Sequence, residues 1–437
     1  MNYSLPEPRL ENRFMDKKPP YNRGDALSEA HRCLYCHDAP CIQACPTFID
    51  IPTFIRKIAT ANVRGAARTI LSSNLLGASC ARVCPVEVLC EGACVYVGWG
   101  RQAIAIGRLQ RYAMDNGATP DLLVKSAATG SSVGLVGAGP ASLACAGTLA
   151  LLGHQAVIYE RGALPGGLNT TGVAPYKMEA TGALNEVRFI QKLGVEVRTG
   201  VEVGRDVSVQ ELLEQHDALF LGPGLGKDSH LGISQEQGAG VVGAVEWIHR
   251  MKTDSQLCLN GVHCAAVIGG GNTALDAARE LAQLGTPEVR LIYRRAEDKM
   301  RGYRHEWEQA KKEGVVLIPE AGVGEIIRKN GHVQALKLMR VKDGQLSDEV
   351  LQVLPVELVI TAIGQARLRK FVSLFPGVSL DARDRIVADP ETGATGNPRI
   401  FAGGDARNGG KEVVNAVYEG QVAARSIDSM LRKRKGE

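Results

Sequence analysis

The sequence predicts an α/β protein: a helical, cysteine-rich N-terminal domain, then two parallel α/β nucleotide-binding domains, the second inserted in the first. Three observations predict it. Eight of the eleven cysteines crowd into the first 94 residues. A strand–glycine–helix–strand pattern begins at Ser131 and recurs at Ala265. A further glycine–aspartate motif near residue 404 is suited to closing the first of these units. The expected boundaries are 1–128 for the cysteine-rich domain, 129–240 and 367–437 for the two segments of the first nucleotide-binding domain, and 241–366 for the second.

Composition narrows the function classes. The 437 residues are 45% apolar and 22% charged, which excludes disordered and fibrous chains. No apolar run approaches the roughly 18 residues of a membrane span. Met1–Lys18 lacks the apolar core of a secretory signal, so a cytoplasmic protein is expected. Clustered thiols in that compartment indicate metal or redox chemistry instead of disulfides. The net charge of +4 is too small for a nucleic-acid footprint. All of that excess sits in residues 1–130, beside the cysteines, where basic groups would balance anionic metal–thiolate centres.

The cysteine-rich region shows short helical stretches at 51–60 and 65–72 and no alternating strand pattern. Its cysteines run Cys33, Cys36, Cys41, Cys45-Pro46, then Cys80, Cys84-Pro85, Cys90 and Cys94. Iron–sulfur clusters draw four ligands from such runs, and a Cys-Pro step often serves the other cluster of a pair. Four thiolates also suit structural zinc, but zinc sites usually carry two short CxxC pairs and this run has one. Iron–sulfur is the favoured reading.

The first α/β unit has a strand at 131–136, a helix at 140–152 and a strand at 155–159. Between the first two lie Gly137, Ala138, Gly139, Pro140 and Ala141. Gly137 permits a tight turn, and Gly139 lets main-chain N–H groups approach a pyrophosphate at the helix start. Glu160, followed by Arg161, ends the second strand where an acid can accept from a ribose diol. The second unit repeats the plan, with Gly269, Gly270 and Gly271 before a helix at 272–284 that opens on Asn272 and Thr273, then a strand at 288–293. An acid is missing at its end. Arg294, Arg295 and Arg301 stand there instead, and guanidinium groups can bind a 2′-phosphate, so NADPH is favoured over NADH.

Two such Rossmann-like units in one chain are characteristic of flavoproteins related to the disulfide reductases, one unit holding FAD and the other NAD(P)H. Gly404 and Asp405, followed by a helix at 413–425 that opens on Val413 and Val414, resemble that group's second FAD motif. There the aspartate contacts the ribityl chain and the helix points its N-terminus at the flavin. No CxxC pair occurs in 129–437, so thioredoxin-reductase chemistry is not expected. The basic stretch 432–435 reads as a solvated terminus.

The block from Cys33 to Pro46 closely resembles the N-terminal domain of dihydropyrimidine dehydrogenases. The stretches Asn74–Gly77, Cys84–Pro85, Leu89–Cys94 and Ile106–Gln110 do so as well. The likeness covers about residues 25–428. It is greatest to the electron-input subunits of two-component bacterial enzymes, in a wider group that includes glutamate synthase small subunits. Arg301 stands where many of the latter have proline.

The resemblance implies one 4Fe–4S cluster on Cys33, Cys36, Cys41 and Cys94. It implies a second on Cys45, Cys84, Cys90 and the amide oxygen of Gln110, whereas counting thiols alone would make Cys80 the eighth ligand. It places Gly167, Leu168, Lys177 and Val203 near FAD, and Ala362 and Gly364 near the nicotinamide nucleotide. The implied activity is oxidation of NAD(P)H, with electrons passing through FAD and two clusters to an FMN-containing partner subunit that reduces uracil or thymine. The alternative is a glutamate synthase small subunit or a ferredoxin–NAD(P) reductase-like input subunit. The cofactors carry the hard chemistry, so no acid–base pair is demanded and no catalytic side chain is singled out.

Overall fold

The computed structural model describes residues 3–436; residues 1, 2 and 437, at the outer ends of the first and last expected segments, lie outside it. Among the described residues the first 128 contain helices and turns and no strand. Helices Arg23–His31, Ile51–Ala59 and Val63–Ser73 each start on a side chain that accepts from a first-turn N–H, from Asn22, Asp50 and Asn62 respectively. Asn62 explains why the last of these begins before the expected residue 65. These helices and Ile106–Gly117 close around Phe54, Ile55, Ile58, Ala66, Ile70 and Leu109, all fully buried.

The strands follow in chain order as β1 (Ser132–Val136), β2 (Gln155–Glu160), β3 (Glu196–Thr199), β4 (Ala218–Leu221), β5 (Val241–Gly243), β6 (Cys264–Ile268), β7 (Glu288–Tyr293), β8 (Val316–Pro319), β9 (Ala321–Lys329), β10 (His332–Lys342), β11 (Gln345–Pro355), β12 (Leu358–Thr361) and β13 (Ile400–Ala402). A first parallel sheet has the order β13-β4-β1-β2-β3, and a second has β5-β12-β6-β7-β8. Each glycine turn therefore leaves the C-terminal end of a central strand, β1 or β6. The chain departs from the first sheet after β4, builds the second, and returns with β13. Sheets covered by helices on both faces need apolar side chains on both, which is why β4 and β6 read as continuous apolar runs.

Two features depart from expectation. Strands β9, β10 and β11 form an antiparallel sheet on the second unit that the hydrophobic pattern did not disclose. Register shifts at Leu338–Met339 and Met339–Val341 break the alternation of β10, and most of β11 faces outward. The last helix runs from Val413 to Lys435, well past residue 425. Its basic end is largely exposed, as expected for a solvated terminus, yet it is held in place: Arg432 pairs with Asp428 at 2.8 Å and the Lys435 ammonium donates to the Thr129 carbonyl. This helix crosses Pro140–Leu151 closely at Gly420, where a Cβ would sit 2.1 Å from the Ala141 carbonyl oxygen.

Candidate active site

A cleft of about 1320 Å³ runs between the two parallel sheets and reaches the cysteine-rich domain. On the first-sheet side, Gly137 has φ +86° and an added Cβ would lie 2.6 Å from the Gly222 carbonyl oxygen, so the turn requires glycine. Beside it, a Cβ on Gly139 would meet nothing within 4 Å, which is the open approach a pyrophosphate needs. The Glu160 carboxylate is aimed by two main-chain donors, accepting from the N–H of Ala138 and of Gly162, both at 2.7 Å. Pro140, Ala141, Arg161, Gly167, Leu168, Lys177, Gly404, Asp405 and Val413 line the same cleft. Burial raises the Asp405 carboxyl above the ordinary range. Val203 and Val414 behave differently: their side chains are packed into the interior, so any contact with a nucleotide there would come through main chain.

On the second-sheet side, Asn272 and Thr273 line the cleft, whereas Gly270, Gly271, Arg294, Arg295, Arg301, Ala362 and Gly364 do not. Gly269 passes so close to the Ala362 carbonyl oxygen that a Cβ would sit 2.4 Å from it, and Gly271 again faces open space. The Gly270 carbonyl accepts from the Arg301 N–H at 3.0 Å, which ties that arginine to the glycine turn. Arg294 and Arg301 are exposed, and none of the three guanidinium groups is paired with a carboxylate among the described residues. Gly364, at φ +112°, accepts from the Ser229 N–H at 2.8 Å and joins the two units.

No local sequence pattern marks the polar network between the units. Lys177 of the first reaches Asp276 at 2.7 Å and Glu306 at 3.2 Å, both in the second. Burial alone would lower the Lys177 ammonium, but the two carboxylates outweigh it and raise it. The Tyr176 hydroxyl donates to the same Asp276 oxygen at 2.6 Å. Tyr303 lines the cleft too, donating to Glu412 at 2.6 Å.

The cysteines fall into two groups. Cys33, Cys36, Cys41 and Cys94 line one small void with Leu34, Ile51, Ile55 and Tyr96. Burial raises the thiols of Cys33 and Cys41, the latter to about 12, values that a bound metal would override by deprotonating its ligands outright. The thiols of Cys84 and Cys90 are pushed well up. Hydrogen bonding to Cys80 is the larger cause for Cys84, and desolvation is the larger cause for Cys90, which also senses Cys84 and Cys45. Cys80 accepts from the Asn74 amide at 3.2 Å. Gln110 donates its amide N–H to the Gly77 carbonyl at 2.8 Å, which leaves its amide oxygen without a hydrogen-bond donor among the described residues. The first four thiols ring one void, an all-thiolate donor set of the kind that iron–sulfur clusters take. Cys84 also lines the nucleotide cleft with Arg82 and Pro85.

Paired dinucleotide folds beside a thiol-rich domain define an iron–sulfur flavoprotein oxidoreductase that uses a nicotinamide nucleotide. Residues 131–420 match the pyridine nucleotide-disulphide oxidoreductases, and residues 9–121 match dihydropyrimidine dehydrogenase domain II, 4Fe–4S cluster. The chain belongs to the pyridine nucleotide-disulphide oxidoreductase family and carries that 4Fe–4S domain ahead of it; its cofactors are FAD, NAD(P) and 4Fe–4S clusters. It is 35% identical to the NADPH glutamate synthase small chain of Halomonas elongata, over 95% of this chain and 92% of that one. It is 34% identical to the NAD-dependent dihydropyrimidine dehydrogenase subunit PreT of Escherichia coli, over 96% of this chain and 98% of that one. Thioredoxin reductase of T. acidophilum shares the fold, with a TM-score of 0.55 and 23% identity over 68% of this chain and 97% of that one. No helix among the described residues is long and apolar enough to cross a membrane.

Proposed function

We propose that the chain is an NAD(P)H-oxidising electron-input subunit whose partner, an FMN-containing chain, reduces uracil or thymine to the 5,6-dihydropyrimidine. One observation carries the reading: a single cleft is bounded by the first glycine turn, by the opening of the second dinucleotide helix, and by Cys84 of the cysteine-rich domain. FAD, when bound, supplies the conversion of a two-electron hydride donor into one-electron steps. The protein does the rest. Gly139 and the start of helix Pro140–Leu151 receive the pyrophosphate, Glu160 accepts from the ribose diol, and Asp405 contacts the ribityl chain. Arg294, Arg295 and Arg301 select the 2′-phosphate of NADPH. Cys33, Cys36, Cys41 and Cys94 hold one cluster; Cys45, Cys84, Cys90 and the Gln110 amide oxygen hold the other.

A second reading, the small subunit of glutamate synthase, is favoured by the near-equal identity to that protein. Anaerobic purification from the source cells, identification of the copurifying chain and an assay for uracil-dependent NADPH oxidation separate the two. A flavin-bearing partner with uracil-dependent turnover supports the first reading. A large amidotransferase chain, or no response to uracil, moves the protein to the second.

A further inference from the structure

The ten residues from Arg9 to Lys18 touch all three units of the protein. Leu10 is buried in the core of the second nucleotide-binding unit, among residues such as Trp247, Ile248 and Leu281. Arg13 donates to the Leu284 carbonyl of the same unit at 3.3 Å. Glu11 turns the other way. One of its oxygens accepts from the Ala180 N–H at 3.0 Å, at the start of a helix of the first unit, and the other is gripped by Arg9 at 2.6 Å. Lys17 joins both units, its main-chain N–H donating to the Tyr176 carbonyl at 2.7 Å and its ammonium to Glu306 at 2.5 Å. Lys18 and Asp16 hold the cysteine-rich domain, through the Cys84 carbonyl at 2.8 Å and through Arg111.

Two details argue against a bystander tail. The side chains of Arg9 and Glu11 are at most 1% exposed, and burying an ion pair gives little stability, while it does demand one geometry. Lys17 and Lys18 also form part of the cleft wall, so this segment meets the units where the nucleotides converge.

We propose that residues 9–18 are a clasp that fixes the two nucleotide-binding units and the cysteine-rich domain in one relative setting, with Glu11 and Lys17 as positioning residues for electron input. The inference rests on the reading that this cleft is where nicotinamide meets flavin. Hydride transfer tolerates little misplacement, so loosening the clasp slows it while the residues assigned above to cofactor binding stay unchanged.

The test uses anaerobic holoprotein, wild type against Glu11→Ala, Lys17→Met and Lys17→Arg. Flavin bleaching is followed after mixing with saturating NADPH, beside FAD and iron content and hydrogen exchange at the Ala180 amide. Expected are bleaching rates about tenfold or more below wild type for Glu11→Ala and Lys17→Met, full FAD and iron content, and recovery of most of the rate in Lys17→Arg. Wild-type bleaching rates in both variants overturn the clasp. Rates that fall only in step with lost FAD and iron also overturn it, because the segment would then be merely stabilising. If NADPH fails to bleach the wild-type flavin, the functional reading falls. The clasp is then judged on exchange: faster exchange at Ala180 in both variants upholds it, and unchanged exchange refutes it.

Discussion

Replacing Glu186 with glutamine is expected to raise the melting temperature above neutral pH and to flatten the dependence of stability on pH. Glu186 belongs to helix Ala180–Lys192 of the first nucleotide-binding unit, but its carboxylate reaches into the cysteine-rich domain. There it accepts from the N–H groups of Ala78 at 2.9 Å and Ser79 at 3.1 Å, and from the Ser79 hydroxyl, at the start of the helix that leads to Cys84. Burial lifts its pKa from 4.5 to about 7, and the Ser79 and Ala78 hydrogen bonds and Arg82 offset only part of that. Between those two values the folded protein holds a proton that the unfolded chain has lost. Stability therefore falls as pH rises through this window, by on the order of 3 kcal/mol in all, and the loss is complete above the folded pKa.

Glutamine has no charge to desolvate, keeps a carbonyl for the two N–H groups, and can donate to the Ser79 hydroxyl. Alanine instead strands both N–H groups, at about 1–3 kcal/mol each. Melts of the holoprotein at about pH 5 and about pH 8, read by circular dichroism and by release of flavin fluorescence, measure the effect across the window. An E186Q protein that melts below wild type at the higher pH, or that keeps the wild-type slope, would refute the reasoning.

Three further outcomes are expected. Cys84→Ser removes about half of the bound iron while Cys80→Ser keeps nearly all of it, by iron assay and electron paramagnetic resonance; equal losses would reassign the eighth ligand from Gln110 to Cys80. Alanine at Arg294 and Arg295 together weakens NADPH binding roughly 10- to 100-fold and leaves NADH binding unchanged, measured by titration; a parallel loss of both would end the 2′-phosphate assignment. Lys177→Met leaves the partly buried Asp276 short of a partner and destabilises the fold by about 3–5 kcal/mol in urea unfolding; a change under about 1 kcal/mol would show the pair to be dispensable.

What was legible in the sequence was what repeats locally. Gly137 and Gly269 each follow an apolar strand and precede a helix, and both strands proved to be the central ones of parallel sheets. Cysteine spacing marked a thiol-rich domain because metal chemistry concentrates one residue type. What escaped notice depends on partners far away in the chain. Glu186 looks like any charged residue of an amphipathic helix, yet it contacts residues about a hundred positions earlier. Lys17 finds Glu306 across 289 positions, and no local pattern encodes such a pairing. The antiparallel sheet is hidden for a different reason, since bulged strands lose the two-residue period that marks a strand in sequence.

On the proposed function, the order in which the two clusters would receive electrons follows from which cysteines meet the cleft. Cys84 lines it, and none of Cys33, Cys36, Cys41 and Cys94 does. A cluster held by Cys84 would then be the first to receive electrons, while one held by Cys33, Cys36, Cys41 and Cys94 would not border the cleft. The void between those four thiols is also lined by Leu34 and Tyr96, and the Tyr96 ring meets the edge of Trp99, which is 61% exposed. That order of cysteines, on the proposed function, implies flow from the cleft through Cys84 towards the Cys33 group.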